Sequence, residues 1–205
     1  KNPLTPIKLS AERIERKFNS KDLDKNEISL LTQTISKQVD DIGKLVDEFS
    51  SFARMPEAEI KNDNFSETIK DCFLLFSNAH SNITFNFVST KHEVFFHFDR
   101  FQLTQAFNNL IKNAVEAVSH IHNPSIKIQI FQRNDKIYCT IIDNGIGIDN
   151  KNVRKYFEPY YTTKGKGTGL GLSIVKKIIE DHKGTIKIEK NTEIAGTIVT
   201  VLFNI

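Results

Sequence analysis

The sequence contains no tryptophan, one methionine and two cysteines among its 205 residues. It has no apolar run near the roughly 18 residues that a membrane-spanning helix requires, and no segment resembles a signal peptide. Cys72 and Cys139 lie in apolar surroundings without the spacing of a metal site. This pattern excludes a disulfide framework and a zinc motif, and it indicates buried, reduced thiols of a cytoplasmic protein.

The net charge is also small, +3 at pH 7, which excludes the strongly basic surface typical of nucleic-acid-binding domains. The charge is unevenly distributed, however. Residues 149–177 include seven basic side chains and two acidic ones, so this segment is more positive than the chain as a whole. We expect it to face a polyanionic ligand.

The same segment contains TTKGKGTGLGLSIVKKI, residues 162–178, where four glycines at alternate positions precede an amphipathic pattern. Glycine lets a ligand approach the main chain, and a helix N-terminus presents N–H groups to phosphate. A Walker A loop does not match, because Gly167 follows Lys166. The dinucleotide pattern would need glycine at Leu170 or Ile174. A different phosphate-binding loop and a flexible surface loop both remain possible interpretations.

Residues 1–55 are predicted to form two helices with a heptad seam. Because a two-helix hairpin is too thin to bury both faces, we expect two chains to form a four-helix bundle; the alternative is a hairpin packed on the rest of the chain. Pro56 disfavours helical geometry at Met55, so the domains are predicted at 1–55 and 56–205. The seam consists of Leu4, Ile7, Ala11, Ile14, Phe18, Ile28, Leu31, Ile35, Ile42, Leu45, Phe49 and Phe52, with Gln38 at one polar position.

Residues 56–205 are predicted to have an α+β fold, with helices layered on a mixed sheet. Asn64 and Glu67 have the spacing of a capping box before the first helix, and Asp99 is placed to open the second. The predicted helices are 65–79, 101–119 and 170–181, and the predicted strands are 83–89, 94–98, 126–132, 137–142, 185–189 and 197–203.

The second of these helices, FQLTQAFNNLIKNAVEAV, has one polar and one apolar face. Gln105, Asn109, Asn113 and Glu116 share the polar face. Amide oxygens suit Mg²⁺, which usually takes one or two protein ligands and completes its shell with phosphate and water. An ordinary solvent-exposed face is the alternative.

A strand runs into Asp-Asn-Gly-x-Gly in IIDNGIGID, residues 141–149. Asp143 is placed there to accept a hydrogen bond from a ligand amine, while Gly145 and Gly147 let a flat ring pack on the backbone. The alternative is an ordinary Asp-Asn turn.

Four motifs together resemble the N, G1, F and G2 boxes of sensor histidine kinases in order and spacing: NNLIKNAVEA, DNGIGI, FEPYYTTK and GKGTGLGLSIVKKI. The opening NPLTPIKLSAERIERKF and the later VDEFSSFARMP resemble the dimerisation and phosphotransfer hairpin of that family. Within the family the sequence is similar to the NtrY-like nitrogen-regulation sensors.

This resemblance implies an N-terminal dimeric hairpin followed by a Bergerat-type α/β sandwich that binds ATP with Mg²⁺. It implies that Asp143, with Gly145 and Gly147, contacts adenine, that Asn113 holds Mg²⁺ and that Asn109 supports the triphosphate. The implied activity is transfer of the ATP γ-phosphoryl group to a histidine and then to an aspartate of a response-regulator receiver domain. The implied mobile ATP lid includes Lys164, Gly167, Thr168, Gly169, Leu170 and Gly171.

The acceptor histidine of the family lies in H-E-x-x-N-P, and the present sequence starts inside that motif. We therefore expect the acceptor three residues before Lys1 and no self-phosphorylation by this chain. Asn2 occupies the position that orients water for dephosphorylation of the regulator in the family. His92 precedes Glu93 but lies in a Phe-rich strand pattern. We expect this part in the cytoplasm and a parent protein anchored in the inner membrane through segments outside this sequence.

Two other functions are compatible with parts of the pattern. A Bergerat-fold ATPase of the gyrase, chaperone or mismatch-repair kind places a Glu four residues before the Mg²⁺-binding Asn. Asn109 stands at that position here, which favours phosphoryl transfer over hydrolysis. A non-catalytic dimeric scaffold that only binds nucleotide is the other alternative, and the intact boxes argue against it.

Overall fold

The structure, a computed structural model, describes residues 4–20, 24–53, 56–163 and 167–205. Asn2 and Lys164, both predicted site residues, lie outside the described residues. The chain divides into two compact units, Lys1–Met55 and Pro56–Ile205. Among the described residues, no helix has the length and apolar character needed to span a bilayer.

The first unit is a pair of helices, α1 (Leu4–Asn19) and α2 (Lys25–Ala53). Glu27 of α2 forms ion pairs with Arg13 at 2.6 Å and Lys17 at 2.7 Å, which tie the two helices together. Among the described side chains of both helices only Ser10 is buried. Phe18 of the predicted seam is 68% exposed. The hairpin alone therefore leaves every described apolar side chain of its seam at least partly exposed.

The second unit is built on a five-stranded mixed sheet in the order β2-β4-β5-β7-β6. Strands β2 and β4 are parallel, and the other neighbours are antiparallel. The strands are β1 (Lys61–Asn64), β2 (Thr84–Ser89), β3 (Phe95–Phe98), β4 (Ser125–Arg133), β5 (Lys136–Asp143), β6 (Thr185–Lys190) and β7 (Thr197–Asn204). The helices are α3 (Phe65–Ala79), α4 (Arg100–Val118) and α5 (Gly171–Asp181), with a 3₁₀ helix at Asn150–Phe157.

Alternate residues of β4 and β5 are buried, as expected for a sheet covered by helices on one face. A cluster of phenylalanines forms the centre of this core. The ring of Phe65 lies 5.5–6.0 Å from those of Phe96, Phe98, Phe107 and Phe203 in edge-to-face geometry, an arrangement that stabilises aromatic pairs. Because these rings come from α3, β3, α4 and β7, the cluster joins every layer of the unit.

The predicted α+β layering is confirmed, with two corrections to the strands. The strand predicted at 94–98 is not part of the main sheet, because β3 pairs with β1 in a separate two-stranded sheet. The polar sequence of β1, KNDN, gave no strand signal. His92 lies in a bend before β3 and not within a strand.

The capping box predicted before α3 is only half formed. Asn64 Oδ1 accepts a hydrogen bond from the Glu67 N–H at 3.4 Å. The Glu67 carboxylate instead contacts Arg100, which also binds Asp63 and Asp71. Glu67 therefore pairs with Arg100, and the Asn64 N–H donates to Asp63 Oδ1 at 2.7 Å.

Both cysteines are buried free thiols, as predicted. Burial raises the pKa of Cys72 to about 11, and burial likewise raises the pKa of Cys139. Because the thiolate is the reactive form, both side chains are inert near neutral pH.

Candidate functional site

Helix α4 forms one wall of the candidate site. Asn109, Asn113 and Ala117 follow at four-residue intervals, so their side chains lie in one row, about 6 Å apart. Both ends of the row have defined neighbours. A Cβ built on Gly171 would lie 3.5 Å from Asn109 Oδ1, and the Ile146 N–H donates to the Ala117 carbonyl oxygen at 3.2 Å. Asn113 therefore lies between the start of α5 and the turn that follows β5.

The Asn109 amide is oriented by its own helix. Its Nδ2 donates to the Gln105 carbonyl oxygen at 3.2 Å, while its Oδ1 faces the first residue of α5. An amide held in this way can donate or accept hydrogen bonds with a ligand, but it cannot take up a proton from water. The side chain is therefore suited to binding and not to general base catalysis.

Asp143 is the last residue of β5, the central strand of the sheet. Its side chain is buried, with 4% of the residue exposed. Oδ1 accepts hydrogen bonds from the N–H groups of Gly145 at 2.8 Å and Thr197 at 3.3 Å. Hydrogen bonds to a carboxylate are stronger than neutral ones, so the group is fixed at the strand end.

Two glycines allow the backbone to pack closely around Asp143. A Cβ on Gly145 would lie 2.6 Å from the Ala117 carbonyl oxygen, and a Cβ on Gly196 would collide with the Asp143 carbonyl oxygen. Gly147 has φ 74° and Gly196 has φ 130°, a region that favours glycine. Sequence reasoning missed Gly196; a lone glycine directly before the last strand was the available signal.

The glycine-rich segment before α5 is anchored at its end. The Tyr160 N–H donates to the Gly169 carbonyl oxygen at 3.1 Å, and a Cβ on Gly169 would lie 2.5 Å from the Tyr160 carbonyl carbon. Leu170 is buried, and the Thr168 hydroxyl accepts from its N–H at 3.4 Å. Gly167 is exposed. The described end of the segment is therefore held against Tyr160.

Helix α5 begins at Gly171, with Leu170 as its N-cap residue, and no side chain among the described residues caps this end. The first N–H groups of a helix have no partner within the helix, and the helix dipole makes this end positive. Since Gly171 faces Asn109, this end of α5 points to the polar row on α4. The arrangement suits an anionic group.

The basic excess predicted for residues 149–177 needs one correction. Lys176 and Lys177 form ion pairs with Glu180 and Asp181 of the same helix, at 3.7 and 2.8 Å. These two ion pairs therefore stabilise α5 itself. Arg154 and Lys155 are exposed on the 3₁₀ helix and remain available to an anion.

Residues 98–205 match the family described as histidine kinase-, DNA gyrase B- and HSP90-like ATPase. The nitrogen regulation protein NtrY of Azorhizobium caulinodans is 41% identical over 96% of this chain and 26% of its own length. An NtrY-like protein of Rickettsia bellii is 34% identical over all of this chain and 33% of its own length. The chain thus spans about a quarter to a third of these relatives.

Two solved structures are similar in fold. The catalytic domain of histidine kinase ThkA has a TM-score of 0.65 at 34% identity, covering 71% of this chain and 95% of that one. A structure of ThkA in complex with the response regulator TrrA has a TM-score of 0.73 at 27% identity, covering 98% of this chain and 58% of that one.

Gly145→Ala should destabilise the second unit, because its Cβ would lie 2.6 Å from the Ala117 carbonyl oxygen and the turn must move away from α4. Overpacking of this kind costs about 1–3 kcal/mol. Gly171→Ala is the matched control, since its Cβ would make an ordinary 3.5 Å contact. Thermal unfolding followed by circular dichroism measures both. Equal midpoints for the two variants would contradict the close packing described here.

Proposed function

Because this chain belongs to the histidine kinase-, DNA gyrase B- and HSP90-like ATPase family, we propose that residues 56–205 bind ATP and that the protein is a sensor histidine kinase. The single observation that carries the proposal is the double contact of α4. At Ala117 the helix carbonyl accepts the Ile146 N–H from the turn after Asp143, and at Asn109 the side-chain oxygen lies beside Gly171 at the start of α5. A nucleotide placed along the row that includes these two residues of α4 meets a carboxylate at one end and a helix N-terminus at the other.

The adenine end of the proposed site is the turn after β5. Asp143 accepts from the exocyclic amine of adenine, and its two backbone donors keep the carboxylate in place. Gly145 and Gly147 carry no side chains, so the ring can lie against the main chain there.

The phosphate end is the meeting of α4 and α5. Asn109 contributes an amide, and the first turn of α5 contributes N–H groups. The glycine-rich segment held against Tyr160, including Gly167, Thr168, Gly169, Leu170 and Gly171, closes over the triphosphate as a lid. Lys164 is proposed to belong to the same lid.

Mg²⁺ fits this donor set through Asn113, between the two ends. Among the residues that the structure describes, no group of three or more His, Cys, Asp or Glu side chains is placed to hold a metal. An amide oxygen together with phosphate and water is a usual magnesium environment. Mg²⁺ bound there would neutralise phosphate charge.

The proposed reaction is phosphoryl transfer and not hydrolysis. Asn109 stands where a hydrolytic ATPase of this family needs a carboxylate, and an amide cannot activate water as a base. We propose that the acceptor is a histidine and that a response-regulator receiver domain takes the phosphoryl group next. The ThkA–TrrA complex, in which a structural neighbour binds a response regulator, supports this partner class. A water-orienting role for Asn2 and a membrane anchor elsewhere in the parent protein belong to the same proposal.

Asp143→Asn should weaken binding of ATP or ADP in the presence of Mg²⁺. The amide keeps one oxygen for the Gly145 and Thr197 N–H groups but removes the charge that accepts from adenine. A hydrogen bond to a charged group contributes about 1.5–3 kcal/mol. Titration calorimetry on the isolated chain measures the change. Asp135→Asn, in the turn between β4 and β5, removes the same charge outside the site and should bind normally. Unchanged affinity of the Asp143 variant would refute the adenine assignment.

In the full-length protein, Asn113→Ala should abolish incorporation of acid-labile phosphate from radiolabelled ATP, because Mg²⁺ loses its protein ligand and the γ-phosphate charge stays unneutralised. Asn108→Ala changes the same residue type on the same helix, outside the row, and should retain most labelling. Equal labelling of both variants, or acid-stable phosphate, argues against histidine phosphorylation at this site.

We also propose that the hairpin forms a four-helix bundle with a second copy of the chain. The support is the incomplete burial of its apolar seam: within the described residues, neither helix buries an apolar side chain. A partner hairpin that presents the same seam would cover these residues in a closed twofold arrangement.

Ile35→Glu should convert the dimer into a monomer at micromolar concentrations, because it places a charge in the seam. Gln33→Glu adds the same charge at an exposed position of α2 and should leave the dimer intact. Light scattering coupled to size exclusion distinguishes the two states. A monomeric unmodified chain would exclude the bundle.

A further inference from the structure

The end of α5 opposite to the candidate site is closed by a buried hydrogen-bond network. The Gly184 N–H donates to the Ile179 carbonyl oxygen at 2.8 Å and the Lys183 N–H to that of Glu180 at 2.9 Å. With Lys183 at φ 57°, these bonds form a Schellman motif, in which His182 is the C-cap residue. His182 is buried, with 8% exposed.

The His182 ring connects this helix end to α4. Its Nε2 accepts the Asp99 N–H at 2.9 Å, and its Nδ1 lies 2.7 Å from the Ile178 carbonyl oxygen. A backbone N–H can only donate and a carbonyl oxygen can only accept. Nε2 is therefore the acceptor and Nδ1 the donor in these two contacts. The proposed reaction does not use this histidine.

Asp99 in turn holds two other parts of the domain. Its Oδ1 accepts from the Gln102 N–H at 3.0 Å, as the N-cap of α4, and its Oδ2 accepts from the Glu59 N–H at 2.8 Å. Gln102 Nε2 donates to the Pro56 carbonyl oxygen at 3.0 Å. The 56–59 segment, the start of α4 and the end of α5 thus meet in one network, which we call the Asp99–His182 clamp.

The clamp joins the first residues of α4 to the last residues of α5, whereas the candidate site lies at the start of α5, beside Asn109 in the middle of α4. At one end His182 binds Asp99, and at the other Gly171 lies against Asn109, so α4 and α5 are antiparallel. Because a helix rises about 1.5 Å per residue, Asp99 and Asn109 lie about 15 Å apart along α4. Gly171 and His182 are separated by a similar distance along α5. The contact of Gly171 at the site end is an ordinary van der Waals approach, whereas the clamp is polar and buried. The clamp therefore adds a polar constraint on the position of α5 to the packing of its buried side chains, which include Ile174, Val175 and Ile178.

We propose that His182 and Asp99 are positioning residues for nucleotide binding: they hold α5 in register with α4, so that its first N–H groups and Asn109 face the same phosphate. Because the 56–59 segment is bound by the same groups, its attachment contributes to this register. The inference rests on the proposed function for its ligand. The geometry of the clamp is independent of it.

The test compares His182→Phe with the unmodified chain. Phenylalanine keeps a ring of similar size but leaves the buried Asp99 N–H without an acceptor. We expect ADP with Mg²⁺ to bind on the order of tenfold more weakly, measured by calorimetry well below the unfolding midpoint. Hydrogen exchange at Ile174 and Val175, the first amides of α5 that bond within the helix, should also accelerate in the nucleotide-free chain. His182→Gln provides an amide oxygen for the Asp99 N–H and should restore both values toward normal.

A general loss of stability is controlled by Ile130→Val, which weakens the buried core at β4, outside the clamp. If the clamp were only structural, both variants would lower the unfolding midpoint and leave affinity and α5 exchange unchanged, and that result overturns the proposal. Should His182→Phe fail to fold, Asp99→Asn replaces it. This variant keeps the cap oxygen but turns a donor toward the Glu59 N–H, and it should weaken binding as well; unchanged affinity would again overturn the proposal.

Failure of the proposed function gives a different result. In that case the unmodified chain binds no ADP, while the exchange measurement on His182→Phe still shows whether the clamp positions α5. Unchanged exchange at Ile174 and Val175 in that variant would reject the clamp on its own.

Discussion

The architecture of the second unit depends on the two-sided character of helix α4. Its apolar side, which includes Phe107, Leu110 and Ala114, is buried in the core, and its other side presents a row of amides. Because burial of the apolar side fixes the rotation of α4 about its own axis, it also fixes the direction in which the row of amides points. Gly171 and the turn after Asp143 then approach the same row from two different elements. The packing of the core thereby places polar groups that are distant in sequence side by side.

The main elements follow from the sequence because their local signals agree with burial. The structure confirms three such local signals: the alternation in β4 and β5, the apolar stripe of α4 and the N-cap Asp99. Strand β1 could not be predicted, since its four polar residues are held by pairing with β3 and not by their own preference. The missing half of the capping box also involves a long-range contact, because Glu67 pairs with Arg100.

Only part of the candidate site could be predicted from the sequence. Motif order predicts Asp143, Asn113 and Asn109, but not what holds them. Gly196 contacts Asp143, which lies 53 positions earlier in the sequence, and His182 reaches Asp99 from the far end of another helix. Both contacts are long-range, so no pattern within one element reveals them. The pairing of Lys176 and Lys177 within α5 is another case, since charge counting along the chain ignores which face a side chain occupies.

The central claim is that one ligand contacts the turn after Asp143 and the start of α5 together. The direct measurement is a titration of the isotopically labelled chain with ADP and Mg²⁺, followed by the backbone amide signals of its glycines in nuclear magnetic resonance spectra. The account predicts that the signals of Gly145, Gly147, Gly169 and Gly171 shift together with one affinity. Gly184, packed against Phe203, should stay in place. Shifts confined to one end of the row, or no shifts at all, would contradict the account.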